Sequence, residues 1–182
     1  MTAITAPHDM IIDYITGRTV PDIGVEVIRQ EMERYLVAQK GYAKSDIEVD
    51  AEIIIDISGD IYRSQLDLVV SAGGRRFMVI KCAAGSLESR QREVLSAARV
   101  LETTQIPYAV ATDGKTAVVY DTVSGKKIAE GLTAIPSQSE AIEKLTAYEP
   151  AAVSKERLEI EKIIFRSYDS MNVNVARNSV SS

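Results

Sequence analysis

The chain has 182 residues, 46% hydrophobic and 26% charged, with a net charge of −5, one cysteine and one histidine. That size suits one core-bearing domain with appendages, while the lone Cys82 excludes an internal disulfide and a cysteine-based metal cluster, and the single His8 removes histidine-rich metal sites and Ser-His or Cys-His catalysis. No segment reaches the roughly 20 apolar residues of a membrane span, and MTAITAPHDM has neither the basic nor the apolar region of a signal peptide, so a cytoplasmic location is expected.

Residues 1–20 read as an N-terminal arm. Between Gly24 and Lys40, Val25, Ile28, Met32, Leu36 and Val37 recur at helical spacing and Gly41 stops the pattern, which predicts an amphipathic helix. IEVDAEIIIDIS (47–58) is rich in β-branched residues and predicts one or two strand segments, followed by a polar turn, SGDIYR. QLDLVV (65–70) and RFMVIKC (76–82) predict two strands joined through Gly73-Gly74, a hairpin signal. Ser86–Thr103 predicts a serine-capped helix with Leu87, Val94, Leu95, Ala98 and Leu101 on one face. Residues 106–132 carry two turn signals, Asp113-Gly114 and Ser124-Gly125, that separate three strands. Helices around 138–148 and 154–168 form a C-terminal extension, and residues 169–182 are expected to be a flexible tail. A helix between two groups of strands permits a right-handed crossover, so the expected architecture is α/β, a mixed central sheet flanked by helices.

Charge is unevenly distributed. From Arg75 to Arg99 six basic residues (Arg75, Arg76, Lys81, Arg90, Arg92, Arg99) face two acidic ones (Glu88, Glu93), a window of +4 on a remainder of −9. Such a window is either a confined contact for an anion such as phosphate or a solvated helix face.

Lys81 interrupts the apolar run FMVI, where an unused charge is costly. Its partner depends on hairpin register. A two-residue Gly73-Gly74 turn sets Asp67 opposite Ile80 and leaves Lys81 pointing the other way; a three-residue Gly73-Gly74-Arg75 loop sets Asp67 directly across from Lys81. An isolated Asp and Lys are otherwise a partly buried ion pair or a snorkelling lysine. By strand alternation Cys82 faces away from Lys81 and reads as a core residue.

LDLVVSAGGRRFMVIKCAAGSLESRQREVLSAARVLETTQIPYAVATDG resembles the N-terminal nuclease-like domain of type I restriction enzyme R subunits, a branch of the PD-(D/E)XK nuclease superfamily. The matching elements run from Val25 to about Pro136: a first helix with Glu26 and Arg29, the strand acid Asp67, a hairpin, a strand ending in Lys81, a helix with Gln91, and a strand ending in Thr112-Asp113-Gly114. The resemblance implies a restriction-endonuclease-like domain over residues 21–136, followed by helices at 137–168. It implies Mg²⁺ held by two carboxylates and a backbone carbonyl, with the lysine orienting the attacking water. Asp67, Lys81 and Gln91 are then the catalytic candidates, Asp67 and Glu26 the metal ligands, and Arg90, Gln91 and Arg92, at a helix N-terminus, the contacts to nucleic acid.

One departure stands out: the second acid of the pattern should lie two residues before the lysine, where this chain has Val79. Glu26, Glu52, Glu88 and Glu93 are the candidate replacements, and Glu26 is chosen because the family pattern places an acid in the first helix. The resemblance leaves the motor and specificity regions of a type I system unmatched, so a standalone DNA-associated nuclease-like domain is expected, Mg²⁺-dependent if active. The alternative is an inactive nucleic-acid-binding or protein-interaction module of the same fold, joining copies of itself or a larger partner through the C-terminal helices.

Overall fold

The computed structural model describes residues 9–180, with side chains up to Met171; His8 and the last two residues of the expected tail lie outside it. In chain order the elements are β1 (Met10–Ile12), β2 (Thr19–Pro21), α1 (Glu26–Ala38), β3 (Ile47–Ile57), β4 (Asp60–Ala72), β5 (Arg75–Cys82), α2 (Gln91–Val100), β6 (Tyr108–Thr112), β7 (Ala117–Asp121), β8 (Lys127–Glu130), α3 (Gln138–Ala147) and α4 (Lys155–Val180). β1 and β2 form a small hairpin within the expected arm, and β3 to β8 form one sheet in chain order. Its neighbours are antiparallel except β5 and β6, which run parallel with α2 as the crossover. The expected α/β architecture with a mixed sheet is therefore the observed one.

The sheet separates two apolar layers. On one side Met32 and Leu36 of α1 and Ala141 and Leu145 of α3 pack on Leu68, Val70, Phe77, Met78, Ile80 and Cys82. On the other, Val94, Leu95, Ala97 and Ala98 of α2 and Phe165 of α4 pack on Val69, Val79, Ala109 and Ala111. The β3–β4 ribbon serves both layers. Ile47 and Val49 belong to the first, but Ala51, Ile53 and Ile55, of the same parity, belong to the second. The ribbon turns over at Asp50, whose φ is +53°, and the ladder passes from Val49↔Leu68 to Ala51↔Leu66 without pairing Asp50 with Asp67.

The β4–β5 hairpin combines the two registers that the sequence leaves open. At its tip Ala72↔Arg75 and Ser71↔Arg76 pair across a two-residue turn, Gly73-Gly74, with φ of +55° and +77°. A bulge follows: Phe77 is surplus, so Val70 pairs with Met78, Val69 with Val79 and Leu68 with Ile80. Phe77 and Met78 consequently enter the same layer. The turn is the shorter of the two considered, and the bulge supplies the shift that was expected from a longer loop. Positive φ at both turn positions favours glycine or asparagine at the first and glycine at the second. Gly74→Val, with nothing within 4 Å of its Cβ, should lower stability by about 1–2 kcal/mol through backbone strain alone, while Gly73→Asn should stay within roughly 0.5 kcal/mol of wild type; urea unfolding midpoints check both.

Three boundaries differ from expectation. Asp60–Arg63, read as turn, are β4 residues, because the turn itself needs only Ser58 and Gly59, both at positive φ. Ser86 does not cap the helix: a 3₁₀ turn at Glu88–Arg90 intervenes, and α2 begins from Arg90 without a side-chain cap. α4 continues past Tyr168 to Val180, and Asp169, expected in a flexible tail, is buried and accepts a hydrogen bond from the Tyr62 hydroxyl.

Where α1, the β1–β2 hairpin and β3 meet, one guanidinium gathers four carboxylates. Arg29 pairs with Glu26 at 2.7 Å, Asp50 and Asp13, while Glu33 Oε1 stands 3.8 Å from its Nε. Gln30 donates to Asp13 and Glu26 and accepts from the Tyr14 amide, tying the arm to α1. Glu33 is fully buried, and neither of its oxygens accepts a hydrogen bond of normal geometry. Burial, reinforced by Asp13, pushes its carboxyl up to about 7 against the opposing pull of Arg29. A folded-state value above the unfolded one means that the stability contribution is complete below about 4.5 and is lost as pH rises through about 7. Glu33→Gln should remove that decline and stabilise the protein at pH 8 by up to about 3 kcal/mol; thermal melts from acid to mildly alkaline pH check the flattened profile.

Candidate functional site

Asp67 lies on β4 at the point where the β3–β4 ladder is interrupted, and Lys81 is the penultimate residue of β5. With the bulge in place the two side chains project to the same face, and Lys81 Nζ stands 3.5 Å from Asp67 Oδ2. The Cys82 amide donates to that same oxygen at 2.8 Å, holding the carboxylate in position while the Cys82 thiol sits in the opposite layer. A second acid comes from the following helix: Glu93, in the first turn of α2, places Oε1 3.1 Å from Lys81 Nζ and is buried. Lys81 Nζ thus sits between a strand carboxylate and a helix carboxylate.

Electrostatics here are set by burial against pairing. Desolvation opposes the charge on Lys81, but Asp67 and Glu93 outweigh it and raise the amine above its ordinary value, so the ammonium persists. Burial lifts Asp67 above the usual carboxylate range, with Lys81, the Cys82 amide and, more distantly, Arg29 pulling the other way. The wall of the pocket is completed by Gln65, Leu66, Val79, Val94, Phe165 and Asp169, and it encloses about 10 Å³. Carboxylates therefore outnumber the lysine inside a nearly closed, partly apolar recess, an excess of negative charge suited to a cation.

Of the replacements considered for the acid missing at Val79, the structure brings Glu93 to Lys81 and leaves the others elsewhere. Glu26, the one chosen, does not line the pocket, because Arg29 one helical turn along α1 and Gln30 take its carboxylate. Glu52 pairs with Arg63 on the exposed ribbon, and Glu88 is an exposed partner of Ser86. Gln91 turns away from Lys81 to donate to the Gly125 carbonyl at 3.1 Å in the β7–β8 turn. Arg90 leans towards Glu93, 3.9 Å away, and Arg92 is exposed on the same end of α2.

The basic window does not form one continuous patch. Arg75 and Arg76 lie at the opposite end of β5 from Lys81, Arg76 being held by Glu48 and Glu102. Arg99 is buried, donating to the Thr122 carbonyl and paired with Glu161 at 2.7 Å. Acids distant in sequence thus consume much of the local excess that counting along the chain suggests. Sequence reasoning also missed Asp169, although its signal is present: Glu161, Phe165 and Asp169 recur at four-residue spacing and all three are buried.

Among the described residues no helix is long and apolar enough to cross a membrane. No curated protein and no solved structure matches the chain. One family model does, that of the type I restriction enzyme R protein N terminus, over residues 25–136. This interval runs from the start of α1 to just before α3 and contains Asp67, Lys81 and Glu93, while α3 and α4 fall outside it. With more than half of its length matched and the nuclease-like α/β architecture in place, the chain belongs to the family of the type I restriction enzyme R protein N terminus.

Proposed function

We propose that the Asp67–Lys81–Glu93 cluster is a Mg²⁺-dependent site acting on DNA phosphodiesters, with Glu93 of α2 taking the part of the acid absent at Val79. The observation that carries this reading is the placement of Lys81 Nζ 3.1 Å from Glu93 and 3.5 Å from Asp67 in one recess.

The donors fit the ion. Asp67 and Glu93 offer hard carboxylate oxygens, and among the described residues no group of three or more His, Cys, Asp or Glu side chains is arranged to cage a metal. An ion resting on two carboxylates keeps most of its water, as Mg²⁺ prefers. When bound it supplies positive charge against the phosphate and acidifies water. The chain's own groups do the rest. Asp67 and Glu93 would hold the ion, Lys81 would orient a water or a phosphate oxygen, and the Cys82 amide keeps Asp67 fixed. Arg90 and Arg92 at the start of α2 meet flanking phosphates, weakly enough that binding falls with salt. Val79 and the internal pairing of Lys81 with both acids favour the second reading, a module that binds nucleic acid without cutting it.

Cleavage of supercoiled plasmid and linear duplex in Mg²⁺ or Mn²⁺ separates the two. Asp67→Ala, Lys81→Ala and Glu93→Gln should each lower the rate by roughly 100-fold or more, while Glu26→Gln, checked by thermal melting for folding, should retain cutting within a few-fold. Loss in Glu26→Gln with retention in Glu93→Gln would reverse the assignment of the second acid. Absence of cutting by every form, with salt-sensitive binding that Arg90→Ala and Arg92→Ala weaken, would establish the binding module, and absence of both would end the nucleic-acid reading.

A further inference from the structure

The recess around Lys81 is roofed by a helix that the family match does not include. Phe165 and Asp169 of α4 line it beside Asp67, Lys81 and Glu93. The enclosed space, about 10 Å³, holds at most one water. With α4 seated, the Lys81 and Asp67 side chains keep only 21% and 18% of their surface exposed, so a phosphodiester gains full access to Lys81 only when α4 lifts.

The contact has specific complementarity along roughly 12 Å of helix, the length spanned by eight residues at the α-helical rise. Glu161 pairs with Arg99 of α2. Phe165, 1% exposed, packs edge-on against Tyr62 of β4 with ring centres 6.5 Å apart. Asp169 accepts the Tyr62 hydroxyl, and Arg166 pairs with Asp60. The ties are of two kinds. Full apolar burial centres on one side chain, Phe165; of the polar ties Glu161 and Asp169 are buried, and the Arg166–Asp60 pair is exposed and adds little, so the seat rests on a few specific contacts. Asp169 lines the recess beside Lys81 while its Oδ2 accepts from Tyr62, so an acidic side chain of α4 stands in the space next to the amine. An irregular segment, 148–154, is the sole chain connection between α3 and α4, and it is anchored by the contact of Gln105 with Ala151.

Building on the nuclease-like reading of the pocket, we propose that α4 is an intramolecular lid: Phe165 and Asp169 close the Asp67–Lys81–Glu93 recess, and a nucleic-acid phosphate reaches Lys81 by displacing Asp169 as the helix lifts. In such a scheme the observed affinity is the intrinsic affinity reduced by the fraction of molecules that are open, so loosening the lid strengthens binding without adding a contact.

Two measurements on the full-length protein test this. Amide hydrogen exchange should show residues 155–171 opening more readily than β5, and Tyr62→Phe, which removes only the hydroxyl bonded to Asp169, should speed α4 exchange about 10-fold with β5 unchanged. Fluorescence anisotropy with a short labelled DNA duplex in Ca²⁺ should show Tyr62→Phe and Phe165→Ala binding about 10-fold more tightly than wild type, a gain that Lys81→Ala cancels. Exchange of α4 in step with β5 in both wild type and Tyr62→Phe would overturn the lid. So would loosened α4 with no gain in affinity, while Lys81→Ala weakens binding in every background, since the pocket would then take nucleic acid without gating. Independent opening of α4 with no duplex bound by any variant would uphold the lid and overturn the nucleic-acid reading of the pocket.

Discussion

Everything at the candidate site depends on one surplus residue in β5. Strand side chains alternate, so a register error of a single position sends Lys81 into the layer occupied by Met32 and Leu36 and strands Asp67 without a cation. The tight Gly73-Gly74 turn by itself gives that wrong register; the Phe77 bulge corrects it within the next pair. Asp50 makes the complementary adjustment on the other neighbour of β4, breaking the ladder beside Asp67 and turning the ribbon over. Asp67 is therefore flanked by two irregularities, one in each adjoining strand, the first held by packing of Phe77 in the core and the second by the pairing of Asp50 with Arg29. Irregular pairing of this sort is common where a sheet must re-aim a side chain.

The protein repeats one electrostatic arrangement on the two sides of its sheet. Around Arg29 and around Lys81, a single cation is shared among more carboxylates than it can neutralise. Desolvated groups of this kind are a weak source of stability. The two differ in what they join. Arg29 fastens the arm, α1 and the kink at Asp50, and its surplus shows as the raised Glu33 carboxyl. Lys81 joins β4, β5 and α2 around a recess of about 10 Å³, where the surplus faces the space beneath α4. The first behaves as a clasp and the second as the lining of a recess: Glu33 and Glu93 are both buried, but Glu93, unlike Glu33, borders that recess.

Much of the scaffold was legible in the sequence because its signals are local. The helical spacing from Val25 to Val37, the Gly-Gly and Asp-Gly turns and the β-branched runs each specify their element within a few residues. The strand acid and the lysine were legible by the same route, with both possible registers identified. The bulge was not, since Phe77 is as ordinary a strand residue as Met78 and only packing against α1 and α3 selects which of them is surplus. Which of Glu26, Glu52, Glu88 and Glu93 comes to lie beside Lys81 was likewise beyond local pattern. Glu26 meets Arg29 on its own helix, and Glu93 reaches Lys81 only once the β5–α2–β6 crossover has closed. The extent of the last helix was hidden by polar composition after Tyr168, where Asp169 finds its partner Tyr62 more than a hundred positions earlier.

The placement of Cys82 has a practical corollary. It is the chain's sole sulfhydryl, buried against α1, while its backbone N–H braces Asp67 on the far side of the strand. Burial holds the thiol in its protonated, unreactive form. Alkylation of native protein must then wait for the α1 and α3 layer over β5 to open, which makes the rate of thiol modification an intrinsic clock for the packing against the strand bearing Lys81, readable without any introduced label.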